Sequence, residues 1–238
     1  SEGIDVYAYP HNETSTGLAS PVYRVEVPDA LTLVDGTSIA GATPVDLTQV
    51  DAYYFSLQKA LGSDGGLWVA ILSPAAIERA RRVEECADGR WVPQFLSLSA
   101  AIDNSRKDQT LNTPALATII MAERQVRWLL QRGGMDAVSA HCAQASSLIY
   151  DWAQTNLAAR PFVDNPAWRS PVTATIEIDE AVNASELAAH LRARGIVDIG
   201  AYRGVGANQL RIGTWPSVEV EDVEALLACI DYCLERVL

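Results

Sequence analysis

Short runs of apolar residues, separated by Gly, Pro, Asn and Asp, dominate the first 72 residues of the chain. Such runs predict β-strands, because strands are short and turn residues separate them. Two of the runs, 31–34 and 67–72, place apolar residues on both faces of the predicted strand, which is typical of strands covered on both sides in an α/β sheet. The predicted strands cover 4–9, 22–27, 31–35, 52–55 and 67–72.

Three longer segments carry the apolar spacing and the end signals of helices. The clearest start is Thr113 as an N-cap with Pro114 at the first helical position, and the clearest stop is the pair Gly133 and Gly134. The segment before this start, 89–110, is polar and is predicted to form a long irregular connection. The predicted helices cover 75–87, 114–132 and 135–154.

The pattern changes after the Pro-rich stretch 160–171. Asn183 with Glu186 three residues later predicts a capped helix start. The predicted order is a strand over 172–178, a helix over 184–194, two strands over 196–199 and 209–213, and a helix over 220–237. This order indicates a small α+β unit with an open sheet. We therefore predict an α/β protein with a first domain, 1–133, and a small C-terminal α+β domain, 134–238.

Composition narrows the possible partners and locations. The chain has 238 residues, of which 49% are hydrophobic and 20% charged, as in folded globular proteins. The net charge of −12 disfavours nucleic acid and anionic membranes as partners. No apolar run approaches the roughly 20 residues of a transmembrane helix, and the first residues lack the pattern of a signal peptide. We therefore expect a cytoplasmic location.

Two chemically interesting residues follow predicted strands. Asp35 ends the apolar run 31–34, and Lys59, one of only two lysines, follows the strand 52–55. Alone, Asp35 reads as a turn former and Lys59 as a solvated surface residue. Together, a strand-end carboxylate and a strand-end amine are what pyridoxal phosphate chemistry requires, since the amine holds the cofactor aldehyde and the carboxylate keeps the ring nitrogen protonated. The other lysine, Lys107, lacks this setting.

Several motifs in order along the chain resemble one enzyme family. They are HNETSTG at 11–17, VDGTS at 34–38, FSLQK at 55–59, NTP at 112–114 and QLR at 209–211. This set is similar to phosphoserine aminotransferases of the actinobacterial type, which are class V, fold type I enzymes dependent on pyridoxal phosphate. The resemblance implies that the chain is the C-terminal part of the large domain, with a mostly parallel sheet and helices, followed by a small α+β domain.

The resemblance also implies roles for residues that bind the cofactor. Lys59 would hold it as a Schiff base, and Asp35 would pair with its ring nitrogen. Thr14 would bond its phenolic oxygen, and Gln58 would line its pocket. Asn112 and Thr113 would reach the cofactor phosphate of a neighbouring subunit, which implies a homodimer with shared active sites. From the residues alone, Thr113 could equally be a plain N-cap or part of a phosphate cradle.

For the substrates, the resemblance implies that Arg211 clamps the α-carboxylate and that Arg203 approaches the phosphate. The reaction implied is amino transfer between L-glutamate and 3-phosphohydroxypyruvate, which gives O-phospho-L-serine and 2-oxoglutarate in serine biosynthesis.

Other readings stay open. A serine- or alanine-glyoxylate aminotransferase shares an NETSTG-like stretch and a Gln-Lys pair, although the NTP motif speaks against it. Cysteine desulfurase is disfavoured, because no cysteine lies in a suitable loop. In another class, the chain is a non-catalytic fragment that folds and dimerises without cofactor. This reading follows from the family's long segment ahead of the point that matches Ser1, which holds the phosphate-binding turn and the aromatic residue stacked on the cofactor.

Overall fold

The computed structural model describes residues 3–86, 89, 91–203 and 208–236. Within these residues the chain forms two main sheets, a short hairpin and six α-helices. The strands are β1 (Val6–Pro10), β2 (Asn12–Glu13), β3 (Leu18–Ala19), β4 (Leu31–Asp35), β5 (Ala52–Ser56), β6 (Trp68–Leu72), β7 (Ala159–Pro161), β8 (Thr173–Ile178) and β9 (Gln209–Gly213). The helices are α1 (Pro74–Glu85), α2 (Leu98–Ser105), α3 (Leu116–Gln131), α4 (Gly134–Thr155), α5 (Ala184–Arg192) and α6 (Val220–Arg236).

The first sheet has the strand order β1-β4-β5-β6, and its pairs β1 with β4 and β4 with β5 are parallel. The predicted α/β class with a mostly parallel sheet is therefore confirmed. The last strand, β6, pairs antiparallel with β5 at the edge of this sheet. The prediction that this strand is covered on both faces is wrong for the described residues, since Trp68 is 55% and Ile71 43% exposed.

The predicted strand over 22–27 is also wrong. Both edges of β4 are already paired, with β1 and with β5, so this segment cannot pair with β4. Side chains bind its backbone instead. The Arg24 N–H donates to Gln49 Oε1 at 3.2 Å, and the Val25 N–H donates to Thr32 Oγ1 at 3.2 Å.

The second sheet is antiparallel, in the order β7-β8-β9, and packs against α4, α5 and α6. The fully buried side chains of its core include Ile149, Ile176, Leu187, Leu210 and Ile230. The strand predicted over 196–199 is absent from the described fold. A single bridge between Gly200 and Leu210 and one bond from the Arg211 N–H to the Ile199 carbonyl oxygen, at 2.9 Å, stand in its place.

Two helix predictions need correction. The stretch 89–110 is not wholly irregular, because it contains α2, which Ser97 caps by accepting from the Ala100 N–H. Thr113 is not the N-cap of α3. The first intrahelical bond runs from the Ile119 N–H to the Ala115 carbonyl oxygen, so the extended backbone of Ala115 makes it the N-cap and leaves Thr113 outside the helix.

Helix α4 belongs to both halves of the fold. Val138 and Cys142, near its start, pack with Leu57 and Leu129 in a core beside the first sheet. Its later buried residues, such as Ile149, pack in the core of the second sheet. The division at 133 and 134 stays a prediction, and it falls immediately before this shared helix.

Candidate functional site

The candidate site lies at the carboxyl edge of the parallel strands. In the register of the first sheet, Pro10 at the end of β1 is opposite Asp35 at the end of β4, and Asp35 is opposite Tyr54 in β5. The loops that leave these strands therefore meet at one edge, which is where ligands bind in open α/β sheets. The 11–17 loop follows β1, and Lys59 follows β5 three residues after its end.

Asp35 is half-buried and held by backbone groups. Its Oδ1 accepts from the Thr37 N–H at 2.8 Å, and its carbonyl oxygen accepts from the His11 N–H at 2.8 Å. Burial, and to a lesser degree the negative charge of Asp35, raise the pKa of Tyr53 and of Tyr54. The carboxylate is thus close enough to act electrostatically on the neighbouring strand.

His11 and Tyr53 form a buried pair behind Asp35. Their side chains meet through His11 Nδ1 and Tyr53 Oη at 3.0 Å, and the residues are 6% and 2% exposed. Burial lowers the pKa of His11 to about 4, so the imidazole is neutral near pH 7. Sequence reasoning assigned no role to either residue. The residues around Tyr53 in the sequence give no sign that its hydroxyl contacts His11, which follows a different strand.

The 11–17 loop is anchored to the turn after β4 and to the second sheet. Asn12 Nδ2 donates to Ser38 Oγ at 2.8 Å, and Ser38 Oγ donates back to the Asn12 carbonyl oxygen at 2.8 Å. The Oδ1 atom of Asn12 is buried and has no hydrogen-bond partner among the described residues. Gly17 has a φ of +71°, and a Cβ there would lie 2.8 Å from the Thr173 carbonyl oxygen in β8, so glycine allows this close approach.

Lys59 is half-buried, and its Nζ lies 5.4 Å from the centroid of the Trp215 ring. Trp215 follows β9 and donates through Nε1 to the Ser38 carbonyl oxygen at 2.9 Å. The structure therefore connects Lys59 to the turn that begins at Asp35. The neighbouring Gln58 is exposed.

Arg211 lies in β9 opposite Thr175 and is half-buried. Its guanidinium carbon is 4.9 Å from the centroid of the Tyr202 ring, and its Nη1 donates to the Thr14 carbonyl oxygen at 3.5 Å. The structure thus brings Arg211 to the loop that carries Thr14. Arg203, next to Tyr202, is exposed and shares none of the described hydrogen bonds or ion pairs of this group.

Asn112 and Thr113 lie elsewhere. Both are exposed, on the segment that precedes α3. Helix α3 reaches the loop after Lys59 through Ser63, whose Oγ donates to the Thr118 carbonyl oxygen at 2.6 Å. In this chain, no described hydrogen bond joins Asn112 or Thr113 to Thr14, Asp35 or Lys59.

The charged groups of the site are available to a ligand. None of the ion pairs formed within the described ranges includes Asp35, Lys59 or Arg211. An amine and a carboxylate that take part in none of the described ion pairs suit a cofactor with an aldehyde and a basic ring nitrogen. The Arg211 guanidinium, which also forms none of the described ion pairs, suits a carboxylate.

Two other classes of site are absent from the part of the chain that the structure describes. No three potential metal-ligating side chains cluster there. No helix there has the length and apolar character needed to cross a bilayer.

Comparison with known proteins gives a consistent picture. Residues 1–205 match the model of the class-V aminotransferase family. A Mycolicibacterium vanbaalenii protein, provisionally named phosphoserine aminotransferase, is 52% identical over 234 residues, which are 98% of this chain and 62% of that protein. The phosphoserine aminotransferase of Corynebacterium glutamicum is 48% identical over 235 residues, again 98% of this chain and 62% of the relative. The chain thus spans about three fifths of the length of these relatives.

Solved structures show the same fold. A crystal structure of a phosphoserine aminotransferase from Cytophaga hutchinsonii superimposes with a TM-score of 0.88. It covers 100% of this chain and 65% of its own, at 23% sequence identity. At this identity the likeness speaks for the fold alone.

Proposed function

This chain belongs to the class-V aminotransferase family, and we propose on that basis that it acts in a pyridoxal phosphate-dependent phosphoserine aminotransferase. The reaction is amino transfer between L-glutamate and 3-phosphohydroxypyruvate, which gives O-phospho-L-serine and 2-oxoglutarate. The observation that carries the proposal is the pair of unpaired charges, Asp35 and Lys59, at one carboxyl edge of the parallel sheet and linked through Ser38 and Trp215. The names of relatives near 50% identity support the choice of substrate.

Each residue contributes a definite step. Lys59 holds the cofactor through its side-chain nitrogen, and Asp35 pairs with the protonated ring nitrogen. Pyridoxal phosphate, when bound, supplies an electron sink for the charge left when the substrate α-carbon loses its proton. The side-chain amine of Lys59 would also move that proton, first as base and then as acid. The Thr14 hydroxyl bonds the phenolic oxygen, and Gln58 lines the pocket.

Arginines bind the substrate. Arg211 donates two parallel N–H bonds from its planar fork to the α-carboxylate. The Tyr202 ring beneath the guanidinium and the Thr14 carbonyl oxygen beside it limit the orientations of this fork, which supports the assignment. Arg203 serves the substrate phosphate, and its exposure leaves it free to do so.

A homodimer in the cytoplasm completes the proposal. Asn112 and Thr113 contact the cofactor phosphate of the other subunit. Their exposure, and their separation from the hydrogen bonds of this chain's own site, support a role across an interface.

Borohydride trapping tests the cofactor assignment directly. The chain is incubated with pyridoxal phosphate, reduced, digested and mapped by mass spectrometry, with Lys59→Ala as the control. We expect a pyridoxyl adduct on Lys59 and none at this site in the control. An adduct on Lys107 alone would contradict the active site, and an adduct on neither lysine would favour a fragment that folds without cofactor.

A substrate panel tests the specificity. With glutamate as donor, phosphohydroxypyruvate should be the preferred acceptor over glyoxylate. Preference for glyoxylate would replace this activity with that of a glyoxylate aminotransferase.

A further inference from the structure

Trp215 lies just after the last strand of the second sheet and packs against the core beside the first sheet. It follows β9, where the Thr214 N–H donates to the Val172 carbonyl oxygen at 2.9 Å. A Cβ on Gly213 would lie 2.4 Å from Cζ3 of the indole, so the ring folds back tightly over its own strand. With the Nε1–H donated to the Ser38 carbonyl oxygen, the plane of the indole is fixed at both ends.

The face of this fixed ring meets Lys59. The 5.4 Å between Nζ and the ring centroid is within the roughly 6 Å range of a cation–π contact. Lys59 takes part in none of the ion pairs made by the described residues. Among the described residues, the Trp215 ring therefore contacts the charged amine of Lys59, and it shields one side of that amine from solvent.

We propose that Trp215 is a positioning residue for Lys59. In the absence of cofactor, the indole face holds the Lys59 ammonium at the carboxyl edge of the first sheet. Through its bond to the Ser38 carbonyl oxygen and its place after β9, Trp215 also connects Lys59 to the turn after Asp35 and to the strand that carries Arg211. The inference rests on the proposed function for the use made of Lys59, but the contact itself can be measured without cofactor or substrate.

The two lysines of the chain allow an internal comparison. The protein is treated briefly with N-hydroxysuccinimidyl acetate, and acetylation at Lys59 is divided by acetylation at the exposed Lys107, both measured by peptide mass spectrometry. Trp215→Leu removes the aromatic face that contacts the amine and the bulk that shields it from the reagent. The ratio of acetylation at Lys59 to that at Lys107 should therefore rise about two- to fivefold, which corresponds to the free energy of an exposed cation–π contact. Trp215→Phe keeps an aromatic ring but loses the bond from Nε1–H to Ser38, so the acetylation ratio should rise less in this variant than in Trp215→Leu.

A matched control separates position from general loosening. Trp128 is another half-buried tryptophan stacked on a cation, with Arg132 4.6 Å from its ring, and Trp128→Leu should leave the lysine ratio unchanged. A ratio in Trp215→Leu equal to that of the parent would overturn the proposal. If Trp215→Leu fails to fold by circular dichroism, Trp215→Phe decides: a rise supports the proposal, and an unchanged ratio refutes it.

The experiment also distinguishes this inference from the proposed function. Failure to trap pyridoxal phosphate on Lys59, together with a raised ratio in Trp215→Leu, would refute the function and leave the contact standing. Successful trapping with an unchanged ratio would do the reverse.

Discussion

Replacing Gly36 by alanine should destabilise the protein strongly, because Gly36 makes room for a buried ring. An added Cβ would lie 2.2 Å from Cζ and 2.3 Å from Oη of Tyr53. Carbon atoms in contact are separated by about 3.5–4.0 Å. The tip of the ring must therefore move by more than about 1 Å, and Tyr53, at 2% exposure, has little space to move into.

The cost has two parts. Overpacking a core costs about 1–3 kcal/mol. Moving the phenol also breaks its 3.0 Å bond with His11, and a hydrogen bond of this kind contributes about 0.5–1.5 kcal/mol. We expect the free energy of unfolding to fall by about 2–4 kcal/mol, a large share of the about 5–15 kcal/mol typical of folded proteins.

Urea unfolding followed by far-ultraviolet circular dichroism measures this loss as a lower midpoint at unchanged slope. Gly65→Ala is the matched control, since a Cβ at Gly65 meets nothing within 4 Å, and it should change stability by less than about 0.5 kcal/mol. The double variant Gly36→Ala with Tyr53→Leu lacks the clashing atoms, so its loss should be smaller than the sum of the single losses. Equal midpoints for Gly36→Ala and Gly65→Ala would refute the argument.

Two further predictions concern carboxylates. Burial raises the pKa of Asp51, but bonds from Arg24, the Thr32 N–H and Ser73 outweigh burial and leave the pKa below its usual value. The charged carboxylate of Asp51 therefore stabilises the fold above the unfolded-state pKa, and this contribution is lost as the pH falls. Between about pH 5 and pH 3, the free energy of unfolding should therefore fall less in Asp51→Asn than in the parent, as measured by urea midpoints at each pH. Equal falls in the two proteins would contradict this. Asp35→Asn should still trap pyridoxal phosphate on Lys59 but transfer the amino group of glutamate at least about tenfold more slowly in a single-turnover assay, and an unchanged rate would remove the electronic role of Asp35.

Local sequence signals predicted the elements whose causes are local. The helix start at Asn183 is an example, because its Oδ1 accepts from the N–H groups of Ser185 and Glu186 within the next three residues. The strands over 22–27 and 196–199 failed for the opposite reason. Strand pairing depends on a neighbour that is distant in sequence, and beside β9 the described chain forms a single bridge, Gly200 with Leu210, in place of a strand.

The site divides in the same way. Asp35 and Lys59 could be predicted to lie at one edge because Asp35 ends one strand of the parallel sheet and Lys59 follows the next. Trp215 could not, because its contact with Lys59 depends on how the second sheet packs against the first. Tyr53 was also missed. Its ring occupies the space that the absence of a side chain at Gly36 leaves open, and a hydrophobic pattern does not reveal such a space.

The shared helix α4 has a mechanical consequence. Its 22 residues span about 33 Å, and after Gly134 it contains neither Gly nor Pro, the residues at which helices usually kink. It therefore acts as a stiff beam embedded at each end in a different core. A force that tilts the second sheet is delivered along this beam to Leu57 and Leu129, directly behind the loop of Lys59. Strand β9, which carries Arg211, and the loop of Lys59 therefore lie against two cores that share one continuous helix.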